Sequence, residues 1–113
     1  MCIDSMLTRH SPGAIEQMCR TLAKDFGKRG VTVNTVSPGP VETPLFTTGK
    51  PEQMLKMIAS LHPAGRIGQP DDISPIVSMI ASPDAGWLNG QNIMVNGVRT
   101  SECELLMRRA RLM

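Results

Sequence analysis

The 113-residue chain contains no tyrosine, a single tryptophan and two phenylalanines, so no phenolic hydroxyl is available anywhere in it as a proton donor. Its three cysteines, Cys2, Cys19 and Cys103, are odd in number and far apart. They lack Cys-x-x-Cys or Cys/His ligand spacing, which argues against a cysteine metal centre and for free thiols in a reducing compartment. No apolar run approaches the ~20 residues needed to span a bilayer, and the first ten residues lack the basic start and long apolar stretch of a secretory signal. Neither sign of charge dominates. Twelve basic and ten acidic residues, spread along the chain, leave a formal net charge of +2 and no nucleic-acid footprint. Internal repeats and low-complexity tracts are missing as well. Together these absences give the expectation of a soluble, cytoplasmic chain of one domain, with no membrane span and no nucleic-acid partner. The hydrophobic content, 41%, is ordinary, and the nine methionines read as gap-filling core and tail residues.

What is present is organised around residues 31–46, VTVNTVSPGPVETPLF. Val31, Val33 and Val36, with Thr32 and Thr35, have the branched composition of a buried strand, predicted over 31–36. Pro38 and Pro40 cannot donate to a ladder and are expected to end it. Gly39 between them allows a ligand or another backbone to approach closely. Ligands in open α/β sheets sit beyond the carboxyl ends of strands, so this loop is either a ligand loop or a plain structural turn.

Before it, residues 11–29 read as a helix, with Ser11 as N-cap, Pro12 in the first position and Gly30 as C-terminal cap. The predicted apolar stripe is Ala14, Ile15, Met18, Leu22 and Phe26, with Cys19 off it as an inert thiol; Glu16–Arg20 and Asp25–Arg29 are expected i,i+4 ion pairs. After it, Thr47 to Lys50 is a polar connection. Pro51 then opens a short helix with Met54, Leu55, Ile58 and Leu61 on one face, either a lid or a fixed packing helix. A turn-rich link, 62–69, leads to a helix over 70–81 with apolar residues Ile73, Ile76, Val77, Met79 and Ile80. Asp71 and Asp72 favour its dipole, and Pro75 should bend it unless it lies in the first turn. Asn89-Gly90 turns into a second strand over 91–95. Residues 1–10 read as an unrelated tail. Residues 99–113 form a basic amphipathic segment, read as a solvated tail in preference to a membrane- or acidic-partner helix.

Three pieces in the right order, GAIEQMCRTLAKDFGKRGVTVNTVSPGPVETPLF, HPAGRIGQPDDI and ASPDAGWLNGQNIMVNG, resemble the C-terminal half of a short-chain dehydrogenase/reductase over residues 11–98. The resemblance implies an α/β fold, half of a doubly wound Rossmann-type parallel sheet with two adjacent strands and about three helices. It also implies NAD or NADP as cofactor. The loop would cover the nicotinamide end: Pro38 and Gly39 shaping the turn, the Val41 backbone meeting the carboxamide, and Thr43 hydrogen-bonding to the cofactor. Residues 44–62 would be the variable substrate loop, with Leu45 and Phe46 at its start, and Asn34 matches a position for which only a structural role is expected.

Departures from that pattern are as informative. Aligning Gly13-Ala14 on the family's Gly-Ala pair puts Thr8 at the catalytic tyrosine position and Pro12 at the lysine position. A threonine hydroxyl ionises too weakly to replace a lysine-assisted phenol, and proline has no cation. A glycine-rich GxxxGxG turn to receive the pyrophosphate at a helix N-terminus is also lacking, and Gly86 to Gly90 is not a substitute. The expectation is a truncated NAD(P)-dependent carbonyl/alcohol oxidoreductase with no catalytic residue of its own, inactive as this chain. Two alternatives remain beside it: an interaction module docking on itself or a full-length relative through helix 11–29 and the last strand, and a fragment of an active parent reductase. The strand edge facing the missing strands invites such association. His10 and His62 have no acid placed to orient them; Ser11, Ser37 and Ser82 stand in no GxSxG setting.

Overall fold

The computed structural model describes residues 12–97. The expected tails 1–10 and 99–113, the Ser11 cap, Thr8, His10, Cys2 and Cys103 lie outside these residues. In chain order the elements are α1 Pro12–Gly27, β1 Thr35–Pro38, α2 Pro44–Thr47, α3 Glu52–Ser60, α4 Pro70–Ile80, a 3-10 turn Pro83–Ala85, and β2 Asn92–Val95. The fold is α/β, as expected, with four α-helices where about three were expected. Its two strands pair in parallel: the Thr35 amide donates to the Gln91 carbonyl at 2.8 Å and the Gly39 amide to the Val95 carbonyl at 3.0 Å, a constant register. Two compact units divide the chain, one running up to Val36 together with Val77–Ile93, the other comprising Ser37–Ile76 together with residues from Met94 on.

In the first unit α1 ends in a Schellman motif. Gly30 adopts φ 72°, the Gly30 amide donates to the Gly27 carbonyl and the Val31 amide to the Phe26 carbonyl. The buried face of α1 differs from the expected stripe: Cys19 and Ala23 are buried, whereas Met18 is 58% exposed and Ala14 is exposed too. The reason is close approach. The Cys19 thiol donates to the Val33 carbonyl at 3.3 Å, and a long side chain would hold the helix away from that backbone.

Two asparagines replace the ladder that residues 31–34 were expected to form. Asn89 Oδ1 accepts from the Val33 amide at 2.8 Å, while its Nδ2 donates to the Ala23 carbonyl at 3.3 Å. Asn34 Nδ2 donates to the Leu88 carbonyl at 2.7 Å, and its Oδ1 accepts from the Gln91 amide at 3.1 Å. With the Gly90 amide on the Val33 carbonyl, the polar groups entering the strand are satisfied by side chains, so β1 starts only at Thr35. This is the structural role that Asn34 was expected to have. The Glu16–Arg20 pair forms at 3.7 Å, and Glu16 also accepts from Asn92 Nδ2 at 2.9 Å. Asp25 and Arg29 make no ion pair; Arg29 lies over the Phe26 ring instead, 5.7 Å from its centroid.

In the second unit Ile58 is buried, and Met54, Leu55 and Leu61 flank it on the same face of α3, as the spacing predicts. Pro38 does not end the ladder. In a parallel pair alternate residues bond to the neighbour, Pro38 falls between two that do, and the Gly39 amide beyond it still pairs. Helix α4 runs through Pro75, which has no N–H to donate to the Asp71 carbonyl one turn back. Of the apolar set expected for α4, Ile73, Ile76 and Ile80 are half-buried, while Val77 and Met79 are exposed.

Candidate functional site

The segment 38–43 lies in the second unit, and three contacts fix its course. At Gly39 a Cβ would lie 2.9 Å from both Cα and O of Asn96, so the residue after β1 is glycine because the backbone after β2 occupies that space. Pro40 is buried. Val41 then forms an isolated parallel bridge with Gly68: the Gly68 amide donates to the Pro40 carbonyl at 3.0 Å and the Glu42 amide to the Gly68 carbonyl at 2.8 Å.

That bridge uses the carbonyl of residue 40 and the amide of residue 42. In an extended strand successive peptide groups alternate direction, so the amide and carbonyl of Val41 itself are directed to the opposite edge, one donor and one acceptor side by side. Thr43 follows in extended conformation and caps α2, its Oγ1 accepting from the Phe46 amide at 3.3 Å. Its hydroxyl proton is not used in that bond. A short helix that Thr43 and Pro44 start therefore precedes the expected polar connection 47–50, and Lys50 folds back onto it by donating to the Phe46 carbonyl and lying 4.3 Å from the Phe46 ring centroid.

Gly68 is held in turn by the start of α4. Asp72 Oδ2 accepts from the Gln69 amide at 2.7 Å and from Arg66 Nη1 at 2.6 Å, and Asp72 Oδ1 accepts from Arg66 Nη2 at 2.9 Å. This is a two-pronged ion pair superimposed on half a capping box. The Arg66 guanidinium, together with the Gln69 amide, lowers the Asp72 carboxyl to about 2. The Gln69 side chain donates to Glu42 Oε2. Residues 39–41, 66, 68 and 72 line a cavity of about 170 Å³ along with His62 and Asn96.

His62, given no orienting acid by the sequence, is buried, with its Nδ1 facing the Gly97 oxygen at 3.4 Å. Its Nε2 is buried without a hydrogen-bond partner among the described residues. Among the described residues no cluster of metal-ligating side chains occurs, and no helix is long and apolar enough to cross a membrane.

The structure thus brings Pro38, Gly39, Val41 and Thr43 into one continuous segment, with Pro38 exposed and Gly39 pressed on the backbone behind it. Arg66, Gly68 and Asp72, for which the sequence suggests no site role, are linked to this segment through the bridge at Gly68. The sequence signal for this connection is the Arg66-x-Gly68 spacing in the turn-rich link 62–69, ahead of a helix with an acid in its first turn.

Residues 7–97 match the family described as enoyl-(acyl carrier protein) reductase. The chain is 45% identical over 87 residues to NADPH-dependent aldehyde reductase 2, chloroplastic, of Arabidopsis thaliana, covering 77% of this chain and 32% of that protein. It is 40% identical over 85 residues to a glucose and ribitol dehydrogenase homolog of Oryza sativa subsp. japonica, covering 75% and 28% respectively. Among solved structures, a short-chain dehydrogenase/reductase from Serratia marcescens superposes with a TM-score of 0.71 at 29% identity, over 81% of this chain and 37% of that one. BdcA in complex with NADPH superposes with a TM-score of 0.66 at 37% identity, over 74% and 34%. The chain spans about a third of the length of these relatives. With the junction motifs, the parallel pair and the proline-bounded loop agreeing with this likeness, the chain belongs to the short-chain dehydrogenase/reductase family.

Proposed function

We propose that this chain forms the nicotinamide-side wall of an NAD(P)-dependent oxidoreductase and that, as it stands, it does not carry out hydride transfer. The observation that carries the first part is the backbone of Val41. A carboxamide needs one acceptor for its NH₂ and one donor for its carbonyl, and the bridge to Gly68 leaves Val41 with both on one edge. Because that edge is fixed before any ligand arrives, it orients the carboxamide without reorganisation. Thr43 adds a hydroxyl donor two residues on, while Pro38 and Gly39 set the course of the loop. Bound NAD or NADP supplies the ring that carries the hydride, and the residues here hold its amide end.

The second part rests on the whole sequence. With no tyrosine in 113 residues, and with Thr8 and Pro12 at the positions of the family's proton donor and its lysine, the chain lacks the phenol and the lysine that would protonate a carbonyl oxygen there. The buried Cys19 thiol goes with a reducing compartment such as the cytoplasm. Purified chain mixed with NADH or NADPH and a panel of aldehydes, ketones and alcohols is expected to give no turnover above background. Measurable turnover would overturn this part. If the chain is a piece of a longer reductase, the coding sequence upstream of Met1 contains a GxxxGxG turn and a Tyr-x-x-x-Lys, and the parent acts on a carbonyl or alcohol.

One observation favours a docking role beside this. In the first unit Trp87 is 100% exposed, as Met18 and Val31 are to 58% and 46%, which is apolar surface that a second copy or a full-length relative would cover. Light scattering on the chain alone and after mixing with an intact relative tests it; a monomer that ignores the relative removes this reading.

A further inference from the structure

Within the second unit the loop that presents Val41 does not hold itself. Proline at positions 38 and 40 restricts its dihedral angles, yet the bond that selects which edge of Val41 faces outward is the bridge to Gly68. Gly68 belongs to the turn 62–69, whose own course is set at its far end by Arg66 and Asp72. The guanidinium grips both carboxylate oxygens, at 2.6 and 2.9 Å, and Arg66 Nη1 also donates to the Ile67 carbonyl at 3.2 Å. The same carboxylate accepts the Gln69 amide at 2.7 Å. Residues 67 and 69, the neighbours of Gly68 on both sides, are thus bonded to one ion pair. A Cβ at Gly68 would lie 3.2 Å from the Pro40 oxygen, so the two backbones meet with no room between them.

We propose that Arg66 and Asp72 are positioning residues for the cofactor loop: by pinning the peptide units on either side of Gly68 they hold the bridge that aims the Val41 amide and carbonyl outward. Their proposed action passes through the Gly68 bridge. The inference rests on the reading of Val41 as the carboxamide site, and the experiment separates the two.

The geometry favours this over a merely local role. A surface ion pair that only capped α4 would need one bond from Asp72 to the Gln69 amide. Here the carboxylate also takes both prongs of Arg66, and the Gln69 side chain reaches Glu42, the residue whose amide completes the bridge. Lysine at position 66 would keep the charge and lose the fork.

The test is amide hydrogen exchange on the intact chain, read residue by residue by NMR, for the wild type, Asp72→Ala and Arg66→Lys. Exchange of the Gly68 and Glu42 amides is expected to speed up at least tenfold in Asp72→Ala and by a smaller factor in Arg66→Lys. The Gly39 amide, bonded to the Val95 carbonyl in the same unit, is expected to stay within about twofold. Equal acceleration at all three sites, or none, overturns the proposal; Arg66→Lys decides it if Asp72→Ala does not fold. In a second arm, NADPH or NADH is titrated while the Val41 amide resonance is followed. A shift in the wild type, with half-saturation at least fivefold higher in the variants, supports the ligand half of the proposal, and equal saturation overturns that half. No shift in the wild type overturns the carboxamide reading itself, while the exchange arm still decides whether the pair holds the bridge.

Discussion

Gly39 and Asn96 meet backbone to backbone: the space that a Cβ on Gly39 would need is filled by Cα and O of Asn96, each 2.9 Å away, with Asn96 Cβ at 3.1 Å. Gly39 has no positive φ, so its identity is set by this approach and not by turn conformation. Replacing it with alanine forces the two chain segments apart and is expected to cost about 1–3 kcal/mol, as overpacking does in well-packed sites. Gly13→Ala is the control of opposite sign. Nothing lies within 4 Å of its added methyl, and a gain of about 0.4–1 kcal/mol is expected from the less flexible unfolded chain. Urea denaturation followed by circular dichroism measures both.

Asn89 serves two backbones with one side chain. Asn89→Ala leaves the Val33 amide without its acceptor, and a loss of about 1–3 kcal/mol is expected. Asn89→Asp keeps that acceptor but loses the donor to the Ala23 carbonyl, so it is expected to fall between wild type and Asn89→Ala in the same denaturation measurement.

Acid should release the Arg66–Asp72 pair. Asp72 is held at about 2 against an ordinary 3.8, its folded value lying below its unfolded one. Its contribution to stability is therefore complete above pH 4 and is lost as the pH falls from about 4 to about 2. The carboxyl chemical shift of Asp72 should titrate with a midpoint near 2 in the wild type, and the midpoint should rise toward 3.8 in Arg66→Gln.

Thr43 has a capping role whether or not a ligand binds. Thr43→Val is expected to cost about 0.5–2 kcal/mol through loss of the bond to the Phe46 amide, with Thr43→Ser close to wild type. If the hydroxyl also meets the cofactor, Thr43→Val weakens NADPH binding and Thr43→Ser does not. Isothermal titration calorimetry on both variants checks it.

Cys19 should be inert while the chain is folded. It is 5% exposed and its thiol is engaged by the Val33 carbonyl. Iodoacetamide labelling with peptide mapping is expected to modify it only once denaturant opens the first unit; modification at the rate of a free thiol in the native chain would contradict its packing.

Much of the fold was legible because its junctions are made by residues with few conformational options. Pro12 and Gly30 bound α1, Pro51 opens α3, Pro70 opens α4, and Gly90 makes the turn into β2 with φ 70°; α2, which Pro44 opens, is the helix the sequence does not announce. The buried face of α1 was not legible, because hydrophobicity ranks Met18 above Cys19 while the packing rewards a small side chain against the Val33 backbone. The start of β1 was misplaced for a related reason: residues 31–34 have strand composition, but two asparagine side chains more than fifty residues away in sequence, or answering to residues that far away, take the place of ladder bonds. Composition speaks to what a residue tolerates, and these bonds depend on what the fold brings beside it.

The same limit explains the site. Pro38, Gly39, Val41 and Thr43 are contiguous, so sequence alone could group them. Arg66 and Asp72 are joined across a turn, and their bearing on Val41 passes through a single bridge at Gly68. The sequence places Asp72 at a helix start, where it accepts from the Gln69 amide, and its grip on Arg66 is a second use of the same carboxylate.

Trp87 is the sole indole of the chain and is fully bare. Its emission should match that of tryptophan in water in the folded and the denatured chain alike, which makes fluorescence nearly blind to unfolding. That blindness is useful: a blue shift on mixing the chain with another protein reports coverage of the indole face, uncontaminated by any change in folding.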